Sequence, residues 1–385
     1  MIPGHTRPQQ PYSQASPAFS EPIIPVSGLA WSLFQRLGQG LIYVAFAIIG
    51  LFFLHSIDLG FYLLNLVTPQ KKLGSVVPAA FSPAHPPSPF SQPFTFVLCK
   101  IANALGKKNS PDWVWQWSNW KGIGHKGQWN LEDLRRDPGV SRSPCPAINV
   151  LCNLSILPRD GRNITQAQLS AALCRAYNLT PTLAIQLGLP FAPLFEARGM
   201  IDLEDLSAQG LVQHDGSVTR EDVNSPYASG TVAATQGTPS LRLVDLYYPA
   251  NTSVEYTYQN SAAILAHARR SSRSVNGQFY LSPTQYIFSS GNMALTQTTI
   301  GGKVDDLRAW FGGAEPRGVE GFTRDFEPKA RQGWGVSILQ AQIMTALVEL
   351  TCGPLHDKPR ALASGNDVDA RQGWNAMEGK VGFQE

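Results

Sequence analysis

The hydrophobic rhythm of the chain changes several times, and each change predicts an element. Residues 37–57, LGQGLIYVAFAIIGLFFLHSI, are largely apolar and carry no formal charge; at ~1.5 Å per residue they just reach across a ~30 Å bilayer core. One transmembrane helix is predicted there, with a buried hairpin or an interfacial helix as the alternative. A second apolar patch, FYLLNLV at 61–67, is broken off by Asp58. The prolines of VVPAAFSPAHPPSPFSQPF, residues 76–94, forbid regular helix and predict an extended, semi-stiff connector. From about Trp113 the pattern becomes globular. Apolar residues recur at helical spacing over 163–179, with Asn163 or Thr165 as cap, and again over 261–270, 283–298 and 335–350. Period-two alternation is confined to 241–248 and 253–258, which predicts short, minor strands.

These patterns divide the chain into five parts. Residues 1–36, rich in Pro, Ser and Gln at their start, read as a disordered tail. The transmembrane helix at 37–57 follows, then a Pro-rich connector over 58–110, a mostly α domain over 111–355, and a loosely ordered tail over 356–385. ARQGW occurs at 330–334 and again at 370–374, with no wider similarity of the kind a repeat architecture needs.

Composition narrows the partners. A formal charge of +3 over 385 residues, with no Lys/Arg block, argues against nucleic acid. Arg7 and Arg36 before the apolar run balance Lys71 and Lys72 after it, so the positive-inside count is a tie. The 36 residues ahead of the run fit a cleaved signal peptide poorly. Four N-x-S/T triplets after the span, at Asn153, Asn163, Asn178 and Asn251, favour a glycosylated lumenal or extracellular domain on a single-pass anchor. Five cysteines, at 99, 145, 152, 174 and 352, allow at most two disulfides and leave one thiol over.

One cysteine stands out. SPCPAINVL, residues 143–151, clamps Cys145 between Pro144 and Pro146, which restrict its backbone just before a helix-like run. A positioned cysteine can be a nucleophile, half a disulfide or a metal ligand. No C-x-x-C or C…H-x-H set accompanies it, so zinc is disfavoured. Haem iron needs one axial ligand from the protein, and a thiolate there favours O–O cleavage. Haem suits a clamped, partnerless cysteine best.

The longer run RSPCPAINVLCNLSILPRDGRNIT, residues 142–165, resembles the hallmark of the fungal haem-thiolate peroxidases, the chloroperoxidase and unspecific peroxygenase family: R-x-P-C-P-A-L-N-x-L-A-N-H-G-x-L-P-x-D-G. The shared residues are Arg142, Pro144, Cys145, Pro146, Ala147, Asn149, Leu151, Asn153, Leu157, Pro158, Asp160 and Gly161. LVQHDGSVTRED at 211–222 is similar to the family's I-E-H-D-A-S-L-S-R-x-D, and RDFEPKARQGW at 324–334 more loosely to its closing E-R-L-P-x-x-x-G-W. The resemblance implies an all-helical haem domain carrying haem b, with Cys145 as axial thiolate and Pro144, Pro146 and Asn149 around it. It also implies a divalent ion, Mg²⁺ or Mn²⁺, held through Gln213, the carbonyl of His214 and the hydroxyl of Ser217.

Two departures from the family bear on chemistry. Gln213 offers a neutral amide where the family has a carboxylate, which weakens binding of a hard cation. The family's distal glutamate falls on Asn292, within SSGNMALTQ at 289–297, and an arginine partner seven residues earlier falls on Gln285. Asn can hydrogen-bond peroxide but has no proton to exchange; His214 is the remaining acid/base candidate. Glu315, Glu320 and Glu327 lie in Gly/Pro-rich sequence without motif support.

The resemblance implies a membrane-tethered peroxidase or peroxygenase that uses peroxide on a small lipophilic molecule in fungal secondary metabolism. The alternative is a peroxidase-like haem-binding or scaffolding protein that has lost peroxide chemistry. A cysteine hydrolase lacks any nucleophile context.

Overall fold

The computed structural model describes residues 49–70, 139–207, 213–228, 236–313 and 318–353. The predicted tails, most of the connector, Cys99, His125 and the tryptophan-rich stretch at 113–120 lie outside them. The chain divides into two compact units, Met1–Phe53 and Leu54–Glu385. In the first, the described residues begin helix α1, Ile49–Val67, whose remainder belongs to the second.

The second unit is helical, as expected. It contains α2 (Pro146–Asn153), α3 (Gln166–Tyr177), α4 (Pro181–Gly188), α5 (Ala192–Arg198), α6 (Leu241–Tyr247), α7 (Tyr258–Val275), α8 (Pro283–Thr299), α9 (Val304–Trp310) and α10 (Ile338–Cys352). Their starts are written in the sequence. Thr165, Thr257 and Ser282 each accept from the backbone three residues on, and Gln168, Asn260 and Gln285 reach back to close capping boxes. Thr165, one of the two expected caps, therefore starts α3, and Asn178 ends it in the left-handed conformation. α8 packs along α10, and α7 lies against both. Arg269 of α7 ties this layer together, bonding Ser289 on α8 and Glu349 on α10.

Two expectations are corrected. The alternating stretch 241–248 is helix α6, because Ser240 caps it and Leu243, Val244 and Tyr247 are buried on one helical face. Around 253–258 only the isolated bridge Glu255–Lys303 forms before α7 begins. Among the described residues β pairing amounts to three such bridges.

The largest correction concerns α1. The helix does not stop at residue 57; it runs through Asp58 and FYLLNLV to Val67, so 58–67 is no connector. Asp58 is buried. Its Oδ1 accepts from Thr182 Oγ1 at 2.6 Å, Thr180 Oγ1 at 3.3 Å and Ile338 N at 2.9 Å, and its Oδ2 from Leu339 N at 3.0 Å. The carboxylate thus sits on the otherwise unpaired amides and positive dipole end of α10. One and two turns on, Phe61 stacks on Trp334, and Asn65 accepts from Trp334 N and donates to Gly335 O. Residues 58, 61 and 65 share one helical face, which is the face that docks.

Hydrogen bonds to a charged group contribute ~1.5–3 kcal/mol each, and leaving the donors buried costs more. Asp58→Ala should therefore destabilise the folded protein by about 3 kcal/mol in urea titration. An unchanged midpoint would show that α1 is dispensable to the domain.

Candidate active site

Cys145 is the N-cap of α2 in extended conformation, φ −83° and ψ 110°, and Pro146 opens the helix. Cys152, Cys174 and Cys352 are buried, whereas Cys145 is only partly covered. Burial pushes the Cys145 thiol up. Against that, the backbone amides of Ile148 and Ala147 and the charge of Arg220 pull it down, while Glu320 adds to the rise. The free N–H groups of a helix's first turn thus point at the sulfur, where they stabilise a negative charge. The cofactor implied by the resemblance fits this donor: one sulfur, fixed in place, with amides ready to support a thiolate.

The clamp reaches beyond the prolines. Asn149, buried, accepts from Ser143 N at 2.9 Å and donates to Ser143 O at 2.8 Å. The Ser143 hydroxyl accepts from Cys145 N at 3.2 Å. Asn149 also donates to Glu320 Oε1 at 2.9 Å, and Glu320 pairs with Arg220. Both members of that pair are fully buried. Asn149 thus bolts the cysteine loop in place. Arg142 holds Asn153 Oδ1 at 2.7 Å, and Asn153 donates to Glu320 O at 2.9 Å. Gly161 is required by contact as well as by its φ of +70°, since a Cβ there would lie 2.1 Å from Ser141 O.

Burial also removes two of the four expected glycosylation sites. Asn153 and Asn178 lie inside the fold, while Asn163 and Asn251 are exposed.

The second motif forms a tight turn. Gly216, at φ +70°, donates to Asp222 Oδ1 at 2.8 Å. Asn276 Nδ2 bridges Asp215 at 3.2 Å and Asp222 at 2.9 Å. Burial and the neighbouring Asp222 push Asp215 up to about 6, against the bonds from Tyr280 N and Asn276. Ser217 Oγ accepts from Thr219 N and Arg220 N, so the hydroxyl caps its own turn. Burial pulls His214 below the ordinary imidazole range; its bond to Asp215 O and the charge of Asp222 oppose this, and Arg269 reinforces it. The ring is therefore uncharged at neutral pH.

A hard divalent ion does not fit this set. Gln213, His214 and Ser217 supply an amide, a carbonyl and a hydroxyl with no anion among them. Among the described residues no three His, Cys, Asp or Glu side chains gather around a metal-sized space. Gln213 is buried, and its side-chain nitrogen has no hydrogen-bond partner.

Helix α8 carries the remaining candidates. Gln285 closes the capping box at its start and donates from Nε2 to Gln213 O at 2.9 Å. Asn292 lies two turns further along the same face and is exposed. A different face, through Ser290 and Gly291, packs on α10. The spacing of seven thus joins Gln285 to the second motif and leaves Asn292 open to solvent.

Sequence reasoning named Glu320 only as an alternative to the distal glutamate and missed its structural role. It sits in GVEGF, a stretch with no local pattern, and reaches Arg220 and Asn149 only through the fold, 100 and 171 residues apart in the chain. Arg220 was legible as a motif position, but its partner was not.

No curated protein matches the sequence significantly. The family described as Peroxidase, family 2, matches residues 134–334, a span containing Cys145, the Gln213–Asp222 turn, Asn292 and Glu320. With more than half of its length inside that match, the chain belongs to peroxidase family 2, the chloroperoxidase-like family.

Proposed function

We propose that the protein is a membrane-attached haem-thiolate peroxidase or peroxygenase, with Cys145 as axial ligand, that oxidises a small lipophilic molecule at the expense of peroxide. Family membership gives it a peroxidase-type oxidoreductase function, peroxide and small-molecule substrates, and a haem or metal cofactor. The observation that carries the finer reading is Cys145, a partly covered residue at the start of α2 whose sulfur faces the amides of Ala147 and Ile148. A fungal tailoring step in secondary metabolism is the setting the family resemblance favours.

When bound, haem supplies the oxidative chemistry, and a thiolate ligand favours O–O cleavage. The protein's own contribution is positional and electrostatic. The α2 amides hold negative charge on sulfur. Ser143, Asn149 and Glu320 keep the loop from relaxing. His214, neutral and partly buried, accepts a proton at a ring nitrogen; Asn292, exposed on α8, offers peroxide a hydrogen bond and transfers no proton.

The absorption spectrum of the reduced, carbon monoxide-treated full chain tests this. A strongly red-shifted Soret band supports thiolate-ligated haem, and folded protein that takes up no haem overturns it. The second reading, a peroxidase-like scaffold without peroxide chemistry, is favoured by the untitratable Asn292 and Gln213. Asn292→Glu separates the two. A positioned acid/base contributes ~10²–10⁴ in rate, so peroxide consumption should rise by up to that factor in an enzyme and stay at zero in a scaffold.

A further inference from the structure

The docking of α1 conflicts with a membrane crossing. From Leu54 onward the helix belongs to the folded domain: Leu54 packs on the core, His55 meets Gln342 at 3.1 Å, and Asp58 is buried on α10. Drawing this segment into a bilayer would strip Asp58 of four hydrogen bonds and leave a carboxylate in hydrocarbon. Only residues 37–53 then remain uncharged ahead of the docked turn, about 25 Å even as continuous helix. The polar Gly38-Gln39-Gly40 reduces the apolar part to about 20 Å, against ~30 Å of bilayer core.

Meanwhile the undocked face of the helix is apolar. Leu59, Leu63 and Leu66 are 46 %, 52 % and 67 % exposed, and no charge occurs between Asp58 and Lys71. The neighbouring α10 runs antiparallel to it, since residue 58 meets 338 and residue 55 meets 342. That helix exposes Ile343, Leu347 and Leu350. A monomeric soluble protein seldom leaves so many large apolar side chains in water on two adjacent helices.

The geometry points to a lipid bilayer as the partner of this surface: the peroxidase domain lies on one leaflet, with the free faces of α1 and α10 dipping into it, and the chain does not cross. The Lys71-Lys72 pair that follows the apolar stretch in the sequence suits anionic headgroups, as expected of an interfacial helix and not of a surface for a second copy of the chain. This reading deepens the membrane attachment in the proposed function and is independent of its haem chemistry.

The test uses the full chain with an epitope tag at Met1. It is floated on vesicles of phosphatidylcholine with phosphatidylserine, and in parallel inserted into microsomes and exposed to protease. The expected result is a tag cleaved from the same side as the domain, and a vesicle-bound fraction that falls at least tenfold in Leu63→Glu/Leu347→Glu. The thermal midpoint and the carbon monoxide spectrum of that variant should match the parent, which separates loss of the surface from misfolding or loss of haem. A protease-protected tag means the chain crosses and overturns the proposal. Binding that ignores the two substitutions overturns it too, as does a soluble dimer that fails to float and that the substitutions dissociate. Haem-free protein with substitution-sensitive flotation supports the surface while removing the thiolate reading.

Discussion

Cys145→Ala is expected to abolish the red-shifted carbon monoxide band and peroxide turnover while leaving the fold intact. In the proposed function the Cys145 sulfur is the iron ligand, and the other cysteines among the described residues, Cys152, Cys174 and Cys352, are buried. Loss of the ligand should therefore remove tightly held haem outright, not merely slow a step. The fold should survive because the loop is held by backbone and side-chain bonds from Ser143 and Asn149 that do not involve the sulfur. Far-ultraviolet circular dichroism should overlay with the parent, and haem content after gel filtration should drop to background. A variant that retains both the red-shifted band and turnover would mean that another group ligates the iron.

Glu320→Ala has the largest expected effect on stability. The carboxylate is fully buried, pairs with an equally buried Arg220, and accepts from Asn149. Removing one partner of a buried pair typically costs about 3–5 kcal/mol, because the other charge stays in the interior without compensation. The sign is confirmed by repairing the charge balance. Arg220→Met combined with Glu320→Leu should recover part of that loss, since apolar replacement of a whole buried pair is often neutral. The single variant should also hold haem less firmly, because Asn149 loses the acceptor that anchors the cysteine loop. Urea titration of the two variants beside the parent checks the first expectation, and haem loss to apomyoglobin checks the second. Equal midpoints for the parent and Glu320→Ala would show the pair to be energetically idle.

Several features of the motif acquire reasons only with this network in view. Arg142, Asn149, Asn153 and Gly161 stand around the clamped cysteine, and each has a structural partner. Arg142 ties Asn153, Asn153 and Asn149 tie Glu320, and Gly161 permits the close approach of Ser141. The density of shared residues between 142 and 161 thus reflects one rigid bracket behind a single sulfur. On the other side, Gln285 joins the start of α8 to the Gln213 turn. Two non-titratable amides, the buried Gln213 and the exposed Asn292, stand where the family resemblance implies acids.

Much was determined by the sequence alone. Helix starts follow from capping residues three positions ahead of a Gln or Asn and from prolines at the first turn, so α3, α7, α8 and α10 were readable to within a few residues. The clamped Cys145 was readable for the same reason: proline and helix-start chemistry act over a handful of neighbouring residues. Tertiary structure alone decided three other matters. The alternation at 241–248 fits strand and short helix equally, and Ser240 with the burial of Leu243, Val244 and Tyr247 resolved it. Glu320 found Arg220 from 100 residues away. Asp58 looked like the charge that ends an apolar segment, because a local pattern records a charged side chain and not its partners. The amides of Ile338 and Leu339 that satisfy it come from 280 and 281 residues further along the chain, so only the fold could turn an apparent helix stop into the contact that makes α1 part of the domain.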